Sequence, residues 1–413
     1  MRIVTLNKEQ FDRFASKHKY RSFYQTSAYA KSMLRFGYNV HFLGFVNDKN
    51  ALIGATFIAY KEVFLSNKIA YAPRGILFDF SDSSKVRSMT EKLKQVLGKQ
   101  GFMLLRMDPY IPISIRSNNG DIINLNNEEN IILENMAAAG FEYKGKNLYF
   151  ENEKPRWEAL VLLNKPTQMI FDSFDKKTKI KIRKATNIGV EIYKDEDKDL
   201  KKLYNFIKKK ERKPFSYYQE LCNNFQNNAE VYYAKINAQT FVINSQKMYE
   251  QEIQNNDQLA EQIQSYDIND KERMNVLNKK MESDKLMTVY KNHMLMATEL
   301  LKKYPDGIII GGALVINYDR AVTIITEGYS EEYSTLNADY LLKWQVIYNY
   351  SSKQYKYVNL GGIAGDFKDN SPYKELNEAV LGFNPVISEY IGEFDIVLNN
   401  FAYSLFKNFK RNK

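Results

Sequence analysis

Hydrophobic and polar positions repeat along this chain in two rhythms, and the changes of rhythm mark its elements. Residues 8–16 and 27–36 carry apolar side chains at helical spacing. Residues 41–45 and 52–60 alternate as strands do, separated by the turn cluster Asn47-Asp48-Lys49-Asn50, and 68–72 adds a short strand. The basic, amphipathic stretch 84–97 reads as a helix with Ser84 as its cap. Residues 102–107 (FMLLRM) read as a buried strand ending on Asp108-Pro109. The same order returns later: strands at 307–316 and 321–326 flank the turn Asn317-Tyr318-Asp319-Arg320, followed by a helix at 337–350 and a strand at 357–360. Residues 156–163 and 230–236 supply further strands of this second copy. Two rounds of strand, turn, strand, helix, strand predict a duplicated mixed α/β (α+β) fold.

One segment breaks the pattern. Residues 246–304 hold neither Gly nor Pro and are rich in Gln, Asn, Glu, Lys and Met. Ile253, Leu259 and Ile263 precede the polar break Asp267-Ile268-Asn269-Asp270, and Met274, Leu277, Met281 and Leu286 follow it at helical spacing. Two helices folding back as an antiparallel coiled-coil hairpin fit this pattern. Pro305-Asp306-Gly307 ends the second helix.

Composition narrows the function. The 413 residues are 44% hydrophobic with only 9 prolines, which suits an ordered protein of more than one folding unit. The net charge of +10 fits either a solvated lysine-rich surface or attraction to RNA, anionic lipid or a diphosphate. A single cysteine, Cys222, excludes an internal disulfide framework. With no signal-like leader and no apolar run of about 20 residues, a soluble cytoplasmic protein is expected, any membrane contact being peripheral. The three histidines, His18, His41 and His293, stand apart from Cys or carboxylate clusters. No metal site, Ser-His-Asp triad, phosphate-binding Gly-rich loop or nucleotide cofactor is expected.

Four features can carry chemistry. In Tyr71-Ala72-Pro73-Arg74-Gly75, Pro and Gly frame an arginine that is either a solvated turn residue or a cation at the rim of a cleft. Asp108 sits at the C-terminal end of a buried strand, where α/β sheets present their sites; it either closes an Asx-turn or accepts a hydrogen bond from an attacking ammonium. Lys176 to Lys184 forms a basic helix stopped by Gly189, suited to solvent, RNA phosphate or membrane alike. Lys208 to Lys213 places several cations at a helix end, before Tyr217 and Tyr218.

Taken in order, the motifs resemble the FemABX family of peptidoglycan-bridge transferases. They include Gln25-Thr26-Ser27 with Tyr29, Tyr71-Ala72-Pro73-Arg74-Gly75, Met107-Asp108-Pro109-Tyr110 and Ile182-Arg183-Lys184-Ala185. Glu211-Arg212, Asn359-Leu360-Gly361-Gly362, Phe383-Asn384-Pro385 and Glu389-Tyr390-Ile391-Gly392-Glu393-Phe394 continue the series. The resemblance implies two GNAT-like subdomains, at 1–150 and at 151–245 with 305–398, an arm at 246–304 and a basic tail at 399–413. It implies aminoacyl-tRNA as donor, without further cofactor. The implied acceptor is a stem-peptide amine of lipid II or its nucleotide-linked precursor, and the implied amino acid is Gly, Ala or Ser. Anionic membrane and related transferases, as homo- or hetero-oligomers, are the other implied partners. The C-terminal aromatic and basic residues suit the membrane. By family position Asp108 lies near the reacting amine and Arg212 binds acceptor phosphate, with Arg74 and Tyr217 as further cleft residues. Three positions depart from the family pattern. Met33 replaces a lysine, leaving Lys31 or Arg35 to supply that cation; Thr326-Glu327 replaces Tyr-Gly; and Ala379-Val380 replaces Phe-Lys. The competing readings are an acyl-CoA N-acyltransferase, which lacks its pyrophosphate loop here, and a non-catalytic relative that binds RNA or wall-synthesis partners.

Overall fold

A computed structural model describes residues 1–145, 147–148, 153–209, 213–265 and 269–411. Sixteen strands follow in chain order among these residues. They are β1 (Arg2–Thr5), β2 (Asn39–Val46), β3 (Leu52–Phe64), β4 (Asn67–Ala72), β5 (Phe102–Met107), β6 (Pro112–Arg116), β7 (Ile122–Leu125) and β8 (Phe141–Tyr143). The remainder are β9 (Trp157–Leu162), β10 (Val190–Asp195), β11 (Ala229–Ile236), β12 (Ile308–Tyr318), β13 (Ala321–Tyr329), β14 (Tyr357–Gly362), β15 (Val386–Tyr390) and β16 (Phe394–Val397). They form a seven-stranded sheet, β1-β2-β3-β4-β5-β16-β8, and a nine-stranded sheet, β10-β11-β12-β13-β14-β9-β15-β6-β7.

The duplication is visible in the pairing. In the first sheet β2, β3 and β4 are antiparallel, a helix Ser83–Lys99 crosses over, and β5 returns parallel to β4. In the second, β11, β12 and β13 are antiparallel, the helix Ala338–Ser351 crosses over, and β14 returns parallel to β13. This is the GNAT-like order expected from sequence. The two sheets also exchange strands: β6 and β7 join the second sheet, and β16 lies between β5 and β8 in the first. Glu389 to Phe394 is the crossover, since β15 belongs to one sheet and β16 to the other.

Helix ends obey local capping chemistry. Thr26, Asp175 and Asn237 each accept a backbone N–H from the first turn of the helix that follows. Asp82, two residues before the expected Ser84, caps Ser83–Lys99, because its carboxylate accepts the Lys85 N–H. Gly189 ends the basic helix Lys176–Ile188 with φ of 98°, a left-handed stop that glycine adopts without steric cost.

One apolar core joins the two halves. Phe11, Tyr29, Met33 and Phe57 of the first pack with Leu203, Tyr217, Leu221, Tyr233 and Leu314 of the second. Burying this much apolar and aromatic surface between the sheets holds them at a fixed spacing.

The arm is built as a hairpin of helices Ala238–Gln264 and Asp270–Lys303; of the apolar residues at helical spacing Leu259 is buried and Ile253, Ile263 and Leu286 are half-buried. Asn256, Leu259, Ser283 and His293 are buried on the arm, and Ala297 and Leu300 join the core of the second half, whereas Met274, Leu277 and Met281 are exposed. A polar layer sets the register: Asn256 donates to Ser283 Oγ (3.1 Å) and Asp284 (2.7 Å), and Ser283 donates to Glu252 (2.6 Å). Satisfied polar groups in a helix seam favour one register over its neighbours. Of the expected break, Asp267 and Ile268 lie outside the described residues, and Asn269 caps the second helix with Glu272 closing the capping box.

Candidate active site

A cavity of about 630 Å³ opens where the halves meet. Tyr24 comes from the first half, Lys154 from the segment entering β9, Glu158 from β9 itself, and Tyr217, Asn359 and Tyr390 from the second half. Behind its wall lies a buried charge cluster centred on Arg74.

Local sequence explains how Arg74 is held. Gln25 is fully buried; it donates to Pro73 O (2.8 Å) and accepts from Phe57 N (3.1 Å), fixing the turn that carries Arg74. A Cβ on Gly75 would stand 2.7 Å from Gln25 Nε2, so this position needs glycine. Arg74 itself has φ of 49°, and its N–H donates to Asp108 Oδ1 (2.7 Å). Its guanidinium donates to Glu158 (2.7 Å) and to Pro155 O (2.7 Å), and reaches Asp108 at 3.9 Å. Cζ lies 5.2 Å from the Tyr110 ring centroid and 4.9 Å from that of Tyr390, two rings stacked at 4.4 Å. Glu158 also accepts from Asn359 (2.8 Å) and Tyr110 (3.2 Å). The tight pairing is what allows three charges out of water.

Burial pushes the Asp108 carboxyl up to about 6, against the lowering pull of Arg74 and Lys154. Burial would depress the Arg74 guanidinium, but Glu158 and Asp108 more than offset it and hold it above its ordinary range. Tyr71, Tyr110, Tyr217 and Tyr390 are all raised well above the usual phenol value by burial, so they stay neutral O–H groups at physiological pH.

The structure sorts the sequence-derived residues. Asp108 and Arg74 come together, but both are 2% exposed and neither lines the cavity. Tyr71 donates to Asp108 Oδ2 (2.9 Å), so both carboxylate oxygens are occupied. Tyr217 does line the cavity, its hydroxyl 3.3 Å from that of Tyr29. Lys31 and Arg35 do not: both are exposed on the helix Ser27–Leu34 and its C-terminal cap, and Arg35 pairs with Glu220 (3.1 Å). Four residues apart, they share a helix face turned away from that of Ala30 and Met33, which are buried in the joint core. Arg212 lies outside the described residues.

Two groups escaped the sequence reading. Lys154 lines the cavity, 3.4 Å from Tyr29 OH and 4.2 Å from the Tyr24 ring centroid. Glu158 anchors Arg74 from a run, residues 156–163, that showed only strand character. Its carboxylate inside an apolar strand was the available signal. Beside the cavity, the crossover carries a second network. Glu389 pairs with Arg116 (3.1 Å) and with the buried Arg156 (3.2 Å), and Asp395 pairs with Arg106 (2.8 Å). Among the described residues no group of three His, Cys, Asp or Glu side chains is placed to hold a metal ion.

The chain matches the FemAB family over residues 6–411. It belongs to that family. Aminoacyltransferase FemA of Staphylococcus epidermidis is 22% identical over 424 residues, covering 100% of both chains. Aminoacyltransferase FemA of Staphylococcus aureus is 22% identical over 423 residues, covering 100% of this chain and 99% of its own. The crystal structure of FemX superposes with a TM-score of 0.70 at 18% identity, covering 98% of this chain and 99% of that one. This FemAB chain therefore has the FemX fold. Among its described residues no helix is long and apolar enough to cross a membrane.

Cys222 lies outside this chemistry. It is 6% exposed in the joint core, and burial pushes its thiol up to about 11. Iodoacetamide at pH 7.5 is expected to leave Cys222 unmodified in the native protein and to alkylate it readily in urea, as read by intact mass.

Proposed function

We propose that this FemAB chain is an aminoacyltransferase that moves Gly, Ala or Ser from aminoacyl-tRNA onto the stem-peptide amine of a peptidoglycan precursor. The observation that carries this reading is the end-to-end match to FemA aminoacyltransferases, on a fold whose two halves enclose one cavity. In the reaction the amine attacks the ester carbonyl, a tetrahedral oxyanion forms, and the tRNA ribose oxygen leaves as the amide is made. That chemistry asks for a desolvated cleft, fixed O–H and N–H donors and a path for the ammonium proton. Neutral Tyr217 and Tyr390 line the cavity as O–H groups, while the Tyr110 hydroxyl beside them is given to Glu158. Asp108 serves as a positioning carboxylate, acting through Tyr71 and the Arg74 turn, because its own oxygens are engaged there.

The basic balance of the chain suits tRNA, the precursor's diphosphate and an anionic membrane surface. A transfer assay tests the proposal. Radiolabelled amino acid on tRNA is incubated with lipid II or the nucleotide-linked precursor, with or without prior ribonuclease. The expected result is label on the precursor, lost after ribonuclease; no transfer from glycyl-, alanyl- or seryl-tRNA to either acceptor would defeat the reading.

A further inference from the structure

The helix Asn400–Arg411 lines no part of the cavity, yet it carries apolar surface that the fold leaves uncovered. Its Ala402, Tyr403 and Phe406 pack with Ile69, Met103, Leu104 and Val397, which docks the helix on one face of the first sheet. Phe401 and Leu405, one helical turn apart, lie on the flank of that packed side and remain 76% and 41% exposed. The apolar arc of the helix is therefore wider than the sheet surface that receives it. Taking these two side chains out of water is favourable, and the described residues leave both open to solvent.

Charge selects what covers them. Residues 399–413 contain four lysine or arginine residues and neither aspartate nor glutamate. Lys407 is exposed on the helix, its ammonium 4.6 Å from the Tyr403 ring centroid. The sheet beneath adds a further cation. Lys61 stands opposite Ile69, Ile69 opposite Leu104 and Leu104 opposite Val397, so Lys61 shares the face on which the helix lies. A second copy of this chain would bring the same cations against these. An RNA backbone would meet the cations but leave Leu405 in water. An anionic lipid surface satisfies both, with the cations at its headgroups and the Phe401 and Leu405 side chains just below them.

The same face leads to the cavity. Arg106, two residues beyond Leu104 on β5, points to the same side of the sheet, and it reaches Glu153, a cavity-lining residue, at 3.9 Å. We propose that the helix Asn400–Arg411 docks this chain on an anionic lipid surface through Phe401, Leu405 and Lys407, and so holds the cavity beside the bilayer. The docking stands apart from the transferase reading. Its consequence rests on that reading: transfer to a lipid-linked precursor depends on the helix, and transfer to a nucleotide-linked one does not.

Vesicle co-sedimentation of the full chain tests the docking with no transferase substrate present. The vesicles are phosphatidylcholine alone or an equal mixture with phosphatidylglycerol, and the proteins are wild type, the double variant Phe401→Ser/Leu405→Ser, and Lys407→Gln. At low salt, wild type is expected to favour the mixed vesicles over the neutral ones by about tenfold or more. The double variant loses about tenfold or more of that binding, and Lys407→Gln about fivefold. Equal binding of wild type and a folded double variant to the mixed vesicles overturns the proposal. So does a wild-type dimer that the double variant abolishes without any vesicle binding, which assigns the surface to a second copy. Loss of tRNA binding in the double variant, again without vesicle binding, assigns it to RNA. In transfer assays the double variant is expected to be slower on lipid II in the mixed vesicles and unchanged on the nucleotide-linked precursor. Vesicle binding through Phe401 and Leu405 with no transfer to either acceptor leaves the docking in place and defeats the transferase reading; transfer without vesicle binding defeats the docking alone.

Discussion

Asp108→Asn lowers the transfer rate by about a hundredfold or more while the protein stays folded. The carboxylate accepts from the Arg74 N–H and from Tyr71, and it lies 3.9 Å from the Arg74 guanidinium. An amide keeps the shape but removes the charge and turns one oxygen into a donor facing the Tyr71 hydroxyl. The pH profile gives a second readout. With Asp108 titrating at about 6, wild-type transfer declines as pH falls through 6, and the variant lacks that limb. Stability moves the other way. A carboxyl raised above its unfolded value contributes stability that is full below the unfolded pKa and is lost as pH rises through the folded one. The window here is about pH 4 to 6, and the loss is about 3 kcal/mol for a shift of about two pH units. Urea denaturation at pH 4, 5, 6 and 7 is expected to show that slope in wild type and a flatter one in Asp108→Asn. Equal slopes would show that Asp108 is not the titrating group.

Arg74→Met costs about 3–5 kcal/mol of folding stability, the largest loss expected from any single change at the site. Arg74 is 2% exposed, and its removal leaves the carboxylates of Asp108 and Glu158 buried without their shared cation. Glu158 keeps Asn359 and Tyr110, which hydrogen-bond it but do not neutralise it. Adding Glu158→Gln recovers part of the loss, because one uncompensated charge disappears. Denaturation midpoints of the two single variants and the double variant measure that coupling. Additive losses would mean that the two side chains do not act as a pair.

The sequence made the sheets legible because their strands are apolar runs punctuated by turns, and the duplicated order of strand, turn, strand, helix, strand recurs in both; that β5 returns parallel to β4 and β14 to β13 is what the structure adds. Strand exchange was not legible. Residues 112–116 and 394–397 join the sheet of the other half, and nothing in their alternation records which sheet they enter. Part of the arm was not legible for a related reason. Met274, Leu277 and Met281 have helical spacing, but the hairpin register is set by Asn256 and Ser283, polar residues that a hydrophobic pattern passes over.

At the site, Arg74 stood out by its Pro-Gly frame and Asp108 by its place at the end of a buried strand, and the structure joins them in one cluster. Their third member, Glu158, lies 50 residues beyond Asp108 in the chain, and such pairing has no local signature. Lys154 was hidden for the same reason. It sits next to a proline between two halves, and only the packing of Tyr24, Tyr29 and Tyr217 around it gives the ammonium a place. Lys31 and Arg35 show the converse: residues close in sequence to an expected position are turned away from it by helical geometry.

The central claim is that this cavity joins an amino acid to the precursor's amine. Mass spectrometry of the nucleotide-linked precursor and of lipid II, after incubation with wild type and charged tRNA, tests it most directly. The account predicts a precursor heavier by one amino-acid residue in amide linkage, formed with wild type and strongly diminished with Asp108→Asn. A precursor of unchanged mass with every one of the three aminoacyl-tRNAs, under conditions where both substrates remain intact, would contradict it.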